Sequence, residues 1–416
     1  MCGKVYYVGT GEEVAHHARP LASKLDVEII SSEKVADVAT NRDLAIFFSE
    51  HFRRFRTAIN QLKQKGCRTL YAIDGILEWR NAFETQNEEP ACPWTMRPVL
   101  SEKVAAIGRS QARQLSFWGN RKKIELIGLP RLDDLANFEK QNPLRQLTSK
   151  KHLIVMTAKW PGYTDEQILN VEESLFDLKK ALDFMKERVD VTWRLTGGLA
   201  EKLGVVNSFS NANGDEFHQQ LKECDALITT PSTAILEGMS CGIPTAILEY
   251  NDCPQLTDSV WQIRTERHLK KVLNELLNPP ESKLAQQDFV LHDTLECHSA
   301  ASNRLVDLID KMFTFPAGEM PESLVPIDET TIVGQLDHQF LFSHHKLFET
   351  NNVLELQAHA AELERDDNRL QERNELLERE FNRAKATIDN VFNNPFVSPF
   401  LKAGDLAAKL LKKPAS

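Results

Sequence analysis

Short, almost continuous apolar runs alternate with helix-like stretches along most of this chain, and this alternation restricts its fold more than any other feature. Up to residue 130 the runs are KVYYVG (4–9), VEII (27–30), LAIFF (44–48), TLYAI (69–73), VAAIG (104–108) and IELIG (124–128). Apolar strands separated by helices are typical of parallel sheets that are covered on both faces. We therefore predict a first Rossmann-like, doubly wound α/β domain over residues 1–148.

The alternation restarts after a polar stretch at 129–150, which contains two prolines and reads as a linker. The new runs are HLIVMT (152–157), VTWRL (191–195), ALITT (226–230) and PTAILEY (244–250), with helix candidates at 166–188, 232–242, 265–277 and 299–313. This pattern predicts a second Rossmann-like domain over residues 149–315. Ligands of such folds bind beyond the carboxyl ends of the strands.

The composition changes after residue 315, where periodic apolar patterning stops. We predict a linker at 316–352 and a helical extension at 353–390, in which Leu356, Leu363, Leu370 and Leu377 recur every seven residues. That spacing predicts a coiled coil and a homo-oligomer, but polar residues at two companion positions leave a single solvated helix as the alternative. The tail at 391–416 pairs Phe and Leu with lysines, so it either rests on an anionic membrane or is a frayed end.

Composition and charge exclude several classes of protein. The net charge of -10 argues against a nucleic-acid partner, because phosphate backbones require a basic surface. The seven cysteines have no CxxC spacing, so we expect neither a disulfide framework nor a zinc site. MCGKVYYVG lacks the regions of a signal peptide, and we expect a cytoplasmic protein that is associated with a membrane only if the tail binds one.

The segment CDALITTPSTAILEGMSCGIPTAILEY (224–250) carries the most chemical information. Thr230 suits a helix N-cap and Pro231 suits the first helical position, so the next turn should present free amide N–H groups. A phosphate or diphosphate would bind there, with added hydrogen bonds from Ser232 and Thr233. Glu237 lies one turn further on and could accept hydrogen bonds from a ribose. An ordinary capped strand–helix–strand unit is the alternative interpretation, with Glu237 as a solvated residue.

This segment resembles the donor-binding segment of GT-B glycosyltransferases, in which an acid is followed by small residues and G-x-P, here Glu237 to Pro244. Thr-Thr-Pro-Ser-Thr resembles a stretch found in the capsule polysaccharide and CDP-glycerol glycerophosphotransferase group and in the UDP-N-acetylglucosamine 2-epimerases. IGLPRLDDL (127–135) resembles the G-x-P-R-x-D-x-L motif that ends the N-terminal domain of the same groups. The resemblance covers roughly residues 4–313.

The sequence departs from these groups at three positions. Thr229 stands where many retaining enzymes carry a second Glu, which favours an inverting enzyme. Arg194-Leu195-Thr196-Gly197 replaces R-x-H-P, and Asp74-Gly75 replaces an H-G pair. The missing histidines argue against polymer-type glycerophosphate transfer.

Inverting transfer needs a general base and a way to neutralise the leaving diphosphate. Asp74 ends a buried strand and is our candidate base, although Asp-Gly also suits a simple turn. His17, in the pair His16-His17, is the other catalytic candidate.

Further candidates would hold the two substrates. Lys159 and Arg194 would bind the donor diphosphate, because the resemblance implies that no bound metal or other cofactor is required. Each could instead be structural, Lys159 as a solvated loop residue and Arg194 in an ion pair. Acceptor-side candidates are Gly9, Gly11, Glu78 and Arg80.

The resemblance therefore implies a glycosyltransferase that moves a sugar from a nucleotide-sugar donor to a glycan, lipid-linked or surface-polysaccharide acceptor. Two alternatives remain open. One is a nucleotide-sugar 2-epimerase or hydrolase on the same fold. The other is a non-catalytic nucleotide-binding scaffold that assembles through its coiled coil.

Overall fold

The computed structural model describes residues 3–80, 96–137, 150–208, 215–297, 299–325, 373–390 and 399. The chain divides into two compact units, Met1–Leu336 and Asp337–Ser416. The first unit contains both α/β domains. In the second unit, the described residues 373–390 form a helix.

The first domain is built on a six-stranded parallel sheet of order β2-β1-β3-β4-β5-β6. Its strands are β1 (Val5–Val8), β2 (Val27–Ile30), β3 (Leu44–Phe47), β4 (Arg68–Ala72), β5 (Lys103–Ala106) and β6 (Ile124–Leu126). Five of the six strands are buried along their whole length, which explains their continuous apolar sequences.

The second domain is built on a five-stranded parallel sheet of order β11-β10-β9-β7-β8. Its strands are β7 (Lys151–Met156), β8 (Val189–Arg194), β9 (Ala226–Thr229), β10 (Thr245–Leu248) and β11 (Trp261–Ile263). The short edge strand β11 had not been predicted, because three residues carry too little periodicity to be recognised. The predicted fold class of two Rossmann-like domains is confirmed.

Helices connect the strands. They are α1 (Gly11–Ala22), α2 (Ser32–Val38), α3 (Arg53–Gln64), α4 (Arg109–Leu115), α5 (Asp165–Asp183), α6 (Leu199–Leu203), α7 (Asp215–Glu223), α8 (Ala234–Ser240), α9 (Glu266–Leu277), α10 (Glu281–Thr294) and α11 (Ala301–Phe313). The start of α1 is fixed by a capping box, in which Thr10 accepts from the Glu13 amide and Glu13 accepts from the Thr10 amide.

The last helix of the first unit packs against the first sheet. Leu305, Leu308 and Met312 of α11 are buried in the same apolar cluster as Val5 and Leu44 of that sheet. The sequence-based boundary at residue 315 assigns α11 to the second domain, but its apolar face is covered by the first. Local periodicity defines the helix and does not reveal which sheet covers it.

The predicted linker from 316 begins with a segment docked on the first domain. The backbone amides of Leu324 and Val325 donate to Glu125, at 3.0 and 2.9 Å, and Glu125 is paired with the buried Lys103. This anchoring ends within the described residues at 325. Residues 326–372, with the predicted heptad residues Leu356, Leu363 and Leu370, lie outside the described part of the chain, as does the proposed tail apart from residue 399.

Candidate functional site

Loops that follow the carboxyl ends of strands in both sheets meet in one cleft. From the first domain come the segments after β1, β4 and β6, and from the second come those after β7, β9 and β10. The two sides touch where the Ile76 amide donates to Thr233 Oγ1, at 3.3 Å. Gly75 lies so close that a Cβ there would be 2.1 Å from Thr233 Oγ1. Glycine is therefore required at this domain contact.

The predicted phosphate-binding turn follows β9 but is built differently from the expectation. Helix α8 begins at Ala234, three residues after the predicted first helical residue Pro231, and Thr233 occupies the N-cap position. The Thr229 and Ser232 hydroxyls are 3.0 Å apart and Thr229 donates to the Thr230 carbonyl, so side-chain bonds hold this turn outside the helix.

Thr230 has a positioning role in this turn. Its Oγ1 accepts from the Ala158 amide at 2.7 Å and so holds the loop that carries Lys159. Within the described residues, the amides of Ser232, Thr233 and Ala234 donate to no protein acceptor. Such unused N–H groups at the start of a helix attract anions.

Glu237 occupies the centre of a three-residue cluster that spans the two domains. Its Oε1 accepts from Arg131 Nη1 at 2.7 Å, and its Oε2 lies 3.5 Å from His218 Nε2. Only 8% of the Glu237 side chain is exposed. Burial alone would raise its pKa, but the charge of Arg131 and the hydrogen bond from His218 outweigh burial and lower the pKa to about 2. Glu237 is therefore ionised at neutral pH.

The IGLPRLDDL motif has two distinct structural uses. It forms a 3₁₀ helix, Pro130–Asn137, in which Arg131 is directed to the cleft. Asp133 instead accepts from the amides of Ala301 and Ser302, at 2.7 and 2.9 Å, and caps the start of α11. Arg131 of the motif thus forms part of the cleft, and Asp133 anchors the start of α11.

Asp74 and the two histidines of α1 form the second cluster in the cleft. Asp74 Oδ2 is 4.0 Å from His17 Nε2, and 49% of the Asp74 side chain is open to solvent. Desolvation of the carboxylate by the surrounding protein raises the pKa of Asp74, and the positive charge of Arg131 acts in the opposite direction. Burial, reinforced by His16 and Arg131, lowers the pKa of His17 to about 2, so this imidazole is neutral.

Lys159 lies in the loop after β7 and is exposed. Burial lowers the pKa of His16, and the positive charges of Arg131 and Lys159 lower it further. Lys159 is therefore close to this part of the first domain. Next to it, Trp160 is 60% exposed. The loop is held by Thr196, whose hydroxyl donates to the Ala158 carbonyl at 2.7 Å.

Arg194 is in the second domain as expected, but it is only 4% exposed and bonded within its own domain. Its Nη1 donates to Gln220 Oε1 at 2.9 Å, and its guanidinium lies over the Phe217 ring at 5.3 Å. These contacts attach α7 to β8. Of the two predicted diphosphate ligands, Lys159 is exposed beside the cleft, whereas Arg194 is buried and donates to Gln220.

The four acceptor-side candidates are divided between two places. Gly9 and Gly11 flank the capping residue of α1, and a Cβ on Gly9 would be 2.5 Å from Val14 Cγ1. Gly9 allows the turn from which α1 carries His16 and His17 into the cleft, whereas a Cβ on Gly11 would have no atom within 4 Å.

Glu78 and Arg80 lie at the domain interface. Arg80 is completely buried, pairs with Glu78 and with Glu249 at 3.2 Å, and donates to the Pro161 carbonyl at 2.9 Å. It therefore connects the two domains, and it lines a pocket together with Pro231.

Sequence reasoning missed Arg131 and His218 as site residues. Arg131 stood inside a motif that had been singled out, so its position was available as a signal. His218 had none, because only the tertiary fold directs that helix position toward Glu237. Within the described part of the chain, no group of three or more His, Cys, Asp or Glu side chains could hold a metal ion. No helix in the same ranges is long and apolar enough to cross a membrane.

Comparison with known proteins places this architecture among solved structures. No protein-family model matches the sequence, and a search of curated proteins gave no significant match. A candidate UDP-N-acetylglucosamine 2-epimerase from Listeria monocytogenes is 14% identical with a TM-score of 0.56, over 75% of this chain and 97% of that one. The S. aureus MnaA–UDP structure is 13% identical with a TM-score of 0.52, over 76% and 97%.

A structure of the wall teichoic acid polymerase TagF with CDPG is also similar. It is 13% identical with a TM-score of 0.50, over 75% of this chain and 88% of that one. At these identities the likeness concerns the fold. The chain has a GT-B-type fold of two Rossmann-like domains.

Proposed function

We propose that this protein is a glycosyltransferase that moves a sugar from a nucleotide-activated donor to a glycan, lipid-linked or surface-polysaccharide acceptor. The observation that carries the proposal is the cluster formed by Arg131, Glu237 and His218, which joins both domains beside Asp74. A cleft that holds both a fixed cation, Arg131, and a carboxylate base, Asp74, has the two elements that inverting transfer requires.

The donor's phosphates would bind between Arg131, Lys159 and the turn before α8. Arg131 belongs to the first domain, whereas Glu237 and Lys159 belong to the second. A ligand that contacts all three residues would therefore bridge the cleft. The buried Nε of Arg131 has no hydrogen-bond acceptor among the described residues, which leaves this N–H group able to donate to an anionic ligand. The unused amides of Ser232 and Thr233 add partial positive charge.

Glu237 would bind the donor's hydroxyl groups without acting as a base. A carboxylate with a pKa of about 2 is a weak proton acceptor, but it is a permanent acceptor of hydrogen bonds. It would also hold Arg131 in position until the phosphates arrive.

Asp74 would take the proton from the acceptor hydroxyl as the sugar is transferred. Its raised pKa makes it a stronger base than an ordinary aspartate, and its open half-exposed side chain can be reached by an acceptor. Neutral His17 lies beside it and can orient the carboxylate. The reaction as proposed is inverting, needs no metal or other cofactor, and takes place in the cytoplasm.

A second candidate is a nucleotide-sugar 2-epimerase or hydrolase. The specific observation in its favour is that the fold adds imidazoles and a carboxylate from elsewhere in the chain to the cleft that contains Glu237: His16, His17, His218 and Asp74. Such groups can remove and return protons at a sugar carbon. Epimerisation would incorporate solvent deuterium into the sugar without an acceptor, whereas glycosyl transfer would not.

The first experiment is a thermal-shift screen of the whole chain against UDP, CDP, GDP and CMP sugars. A ligand that binds only the folded state raises the melting temperature. The best donor is then incubated with and without glycan acceptors, and the free nucleotide and the sugar products are quantified.

Variants then test the assigned residues. Arg131→Ala and Lys159→Ala should each weaken donor binding by about tenfold or more, because charge-assisted hydrogen bonds contribute about 1.5–3 kcal/mol. Lys179→Ala is the matched control, since Lys179 pairs with Asp183 on the exposed face of α5. Unchanged donor affinity in both cleft variants would refute the site. Tight nucleotide binding without turnover under all conditions would favour a non-catalytic scaffold.

A further inference from the structure

The helix at residues 373–390 carries a row of exposed apolar side chains. All of its residues are exposed, including Leu377 at 53%, Phe381 at 69% and Ile388 at 55%. In proteins most of a helix's stability comes from packing of one apolar face, and large apolar groups left exposed are unfavourable. A partner that covers this row would therefore stabilise the helix.

The spacing of the row matches a coiled-coil seam. Asn374, Phe381 and Ile388 are seven residues apart and correspond to heptad position a, while Leu377 and Ala384 correspond to position d. These residues lie along one stripe of the helix. Leu at d with Ile at a favours two strands, and a single Asn at an a position favours pairing in register with an identical Asn.

Charges beside the seam are complementary to those of a second copy. In a parallel, in-register pair, position g of one helix faces position e of the following heptad in the other helix. Arg373 at g would then face Glu378, and Glu380 at g would face Lys385. Both contacts join opposite charges, and symmetry makes each of them twice.

We propose that this helix is a parallel, in-register, two-stranded coiled coil with a second copy of the same chain. The seam is formed by Asn374, Leu377, Phe381, Ala384 and Ile388. This proposal is independent of the proposed enzymatic function, because it rests only on the residues of this helix.

The mass of the whole chain in solution tests the proposal. Sedimentation equilibrium should give twice the chain mass of 47.3 kDa at micromolar concentration. The double variant Leu377→Asp with Phe381→Asp should be monomeric, with at least a hundredfold weaker association. Leu376→Asp is the matched control, because Leu376 is 57% exposed on the same helix but lies off the seam. It should stay dimeric.

Charge reversal tests the pairing across the seam. Glu378→Arg should weaken the dimer by about tenfold, since two attractive contacts become repulsive. Adding Arg373→Glu in the same chain should restore the wild-type association. Failure of this rescue would contradict the predicted g–e′ contact.

Oxidative cross-linking tests the orientation. Asn374→Cys should form a covalent dimer well above the wild-type background, whereas Glu375→Cys, on the outer face, should not. A monomeric wild-type chain, a trimer, a dimer that survives the double seam variant, or no cross-link at position 374 would each overturn the proposal.

Discussion

Arg131 and Glu237 are 106 residues apart in the sequence and form a 2.7 Å ion pair across the domain cleft. Each belongs to one of the two motifs that carry the resemblance to GT-B enzymes. The pair therefore brings the two motifs into direct contact. It places a cation beside the turn that precedes α8 and connects the end of the first domain with the helix after β9.

The first prediction concerns the energy of this pair. Arg131→Met should lower the free energy of unfolding by about 3–5 kcal/mol, because it leaves a buried carboxylate without its main partner. Glu237→Gln should cost less, since Gln still accepts a hydrogen bond. The double variant Arg131→Met with Glu237→Gln should lose about 1–3 kcal/mol less free energy of unfolding than the sum of the losses in the two single variants. Denaturant unfolding measures all four proteins. Strict additivity would mean that the ion pair does not form in solution.

The second prediction is a dependence of stability on pH. The folded-state pKa of Glu237, about 2, is below its ordinary value of 4.5, so its ionisation stabilises the fold above pH 4.5. This contribution, roughly 3 kcal/mol, is lost as the pH falls from about 4.5 toward 2. The difference in melting temperature between wild type and Glu237→Gln should be constant from pH 6 to 8 and shrink below pH 4.5. A difference that persists unchanged at pH 3 would contradict the assignment.

The third prediction separates catalysis from donor binding. Asp74→Asn should lower kcat by at least about a hundredfold, because the amide cannot take the acceptor's proton. The donor Kd should change by less than about threefold. Initial rates and isothermal titration measure the two quantities, and a parallel loss of affinity would point to a structural role for Asp74.

The pH profile gives a fourth, independent prediction. Asp74 must be ionised to act as the base, and its pKa is raised, so kcat/KM should fall with decreasing pH at a midpoint above 3.8. His17, with a pKa of about 2, should contribute no titration near neutrality. His17→Asn should therefore keep the shape of the acidic limb. Loss of that limb in this variant would make histidine the base.

The fifth prediction concerns the contact between the domains. Gly75→Ala should destabilise the protein, because the new methyl would be 2.1 Å from Thr233 Oγ1. Thr233→Ala in the same chain should recover much of the loss, since the next nearest atom, Thr233 Cβ, is 3.4 Å away. Gly11→Ala is the control, because nothing lies within 4 Å of its Cβ position. Equal melting temperatures for Gly75→Ala and Gly11→Ala would contradict this geometry.

Much of the fold could be read from the sequence because its signals are local. The apolar runs at 44–48 and 226–230 become buried central strands of their sheets, as predicted. Their apolar character on both faces requires helices above and below. Gly242 has φ 65° and ends α8 with the bonds of a left-handed cap, a conformation that glycine adopts readily.

The exact start of α8 could not be read in the same way. Thr230-Pro231 has the composition of a helix N-terminus, but the Thr229 and Ser232 hydroxyls compete for the turn. Side-chain bonds of this kind depend on rotamers that sequence patterns do not specify.

The sequence alone determined that this chain forms two parallel α/β domains and that its informative residues follow the strand ends, because periodicity and turn chemistry act over fewer than about twenty residues. Tertiary structure alone decided that Arg131 and His218 both contact Glu237 and that Arg194 donates to Gln220 within its own domain. It also decided that α11 packs against the first sheet. These relationships join residues far apart in the chain. Their energies depend on burial and charge in the folded molecule, which no local pattern records.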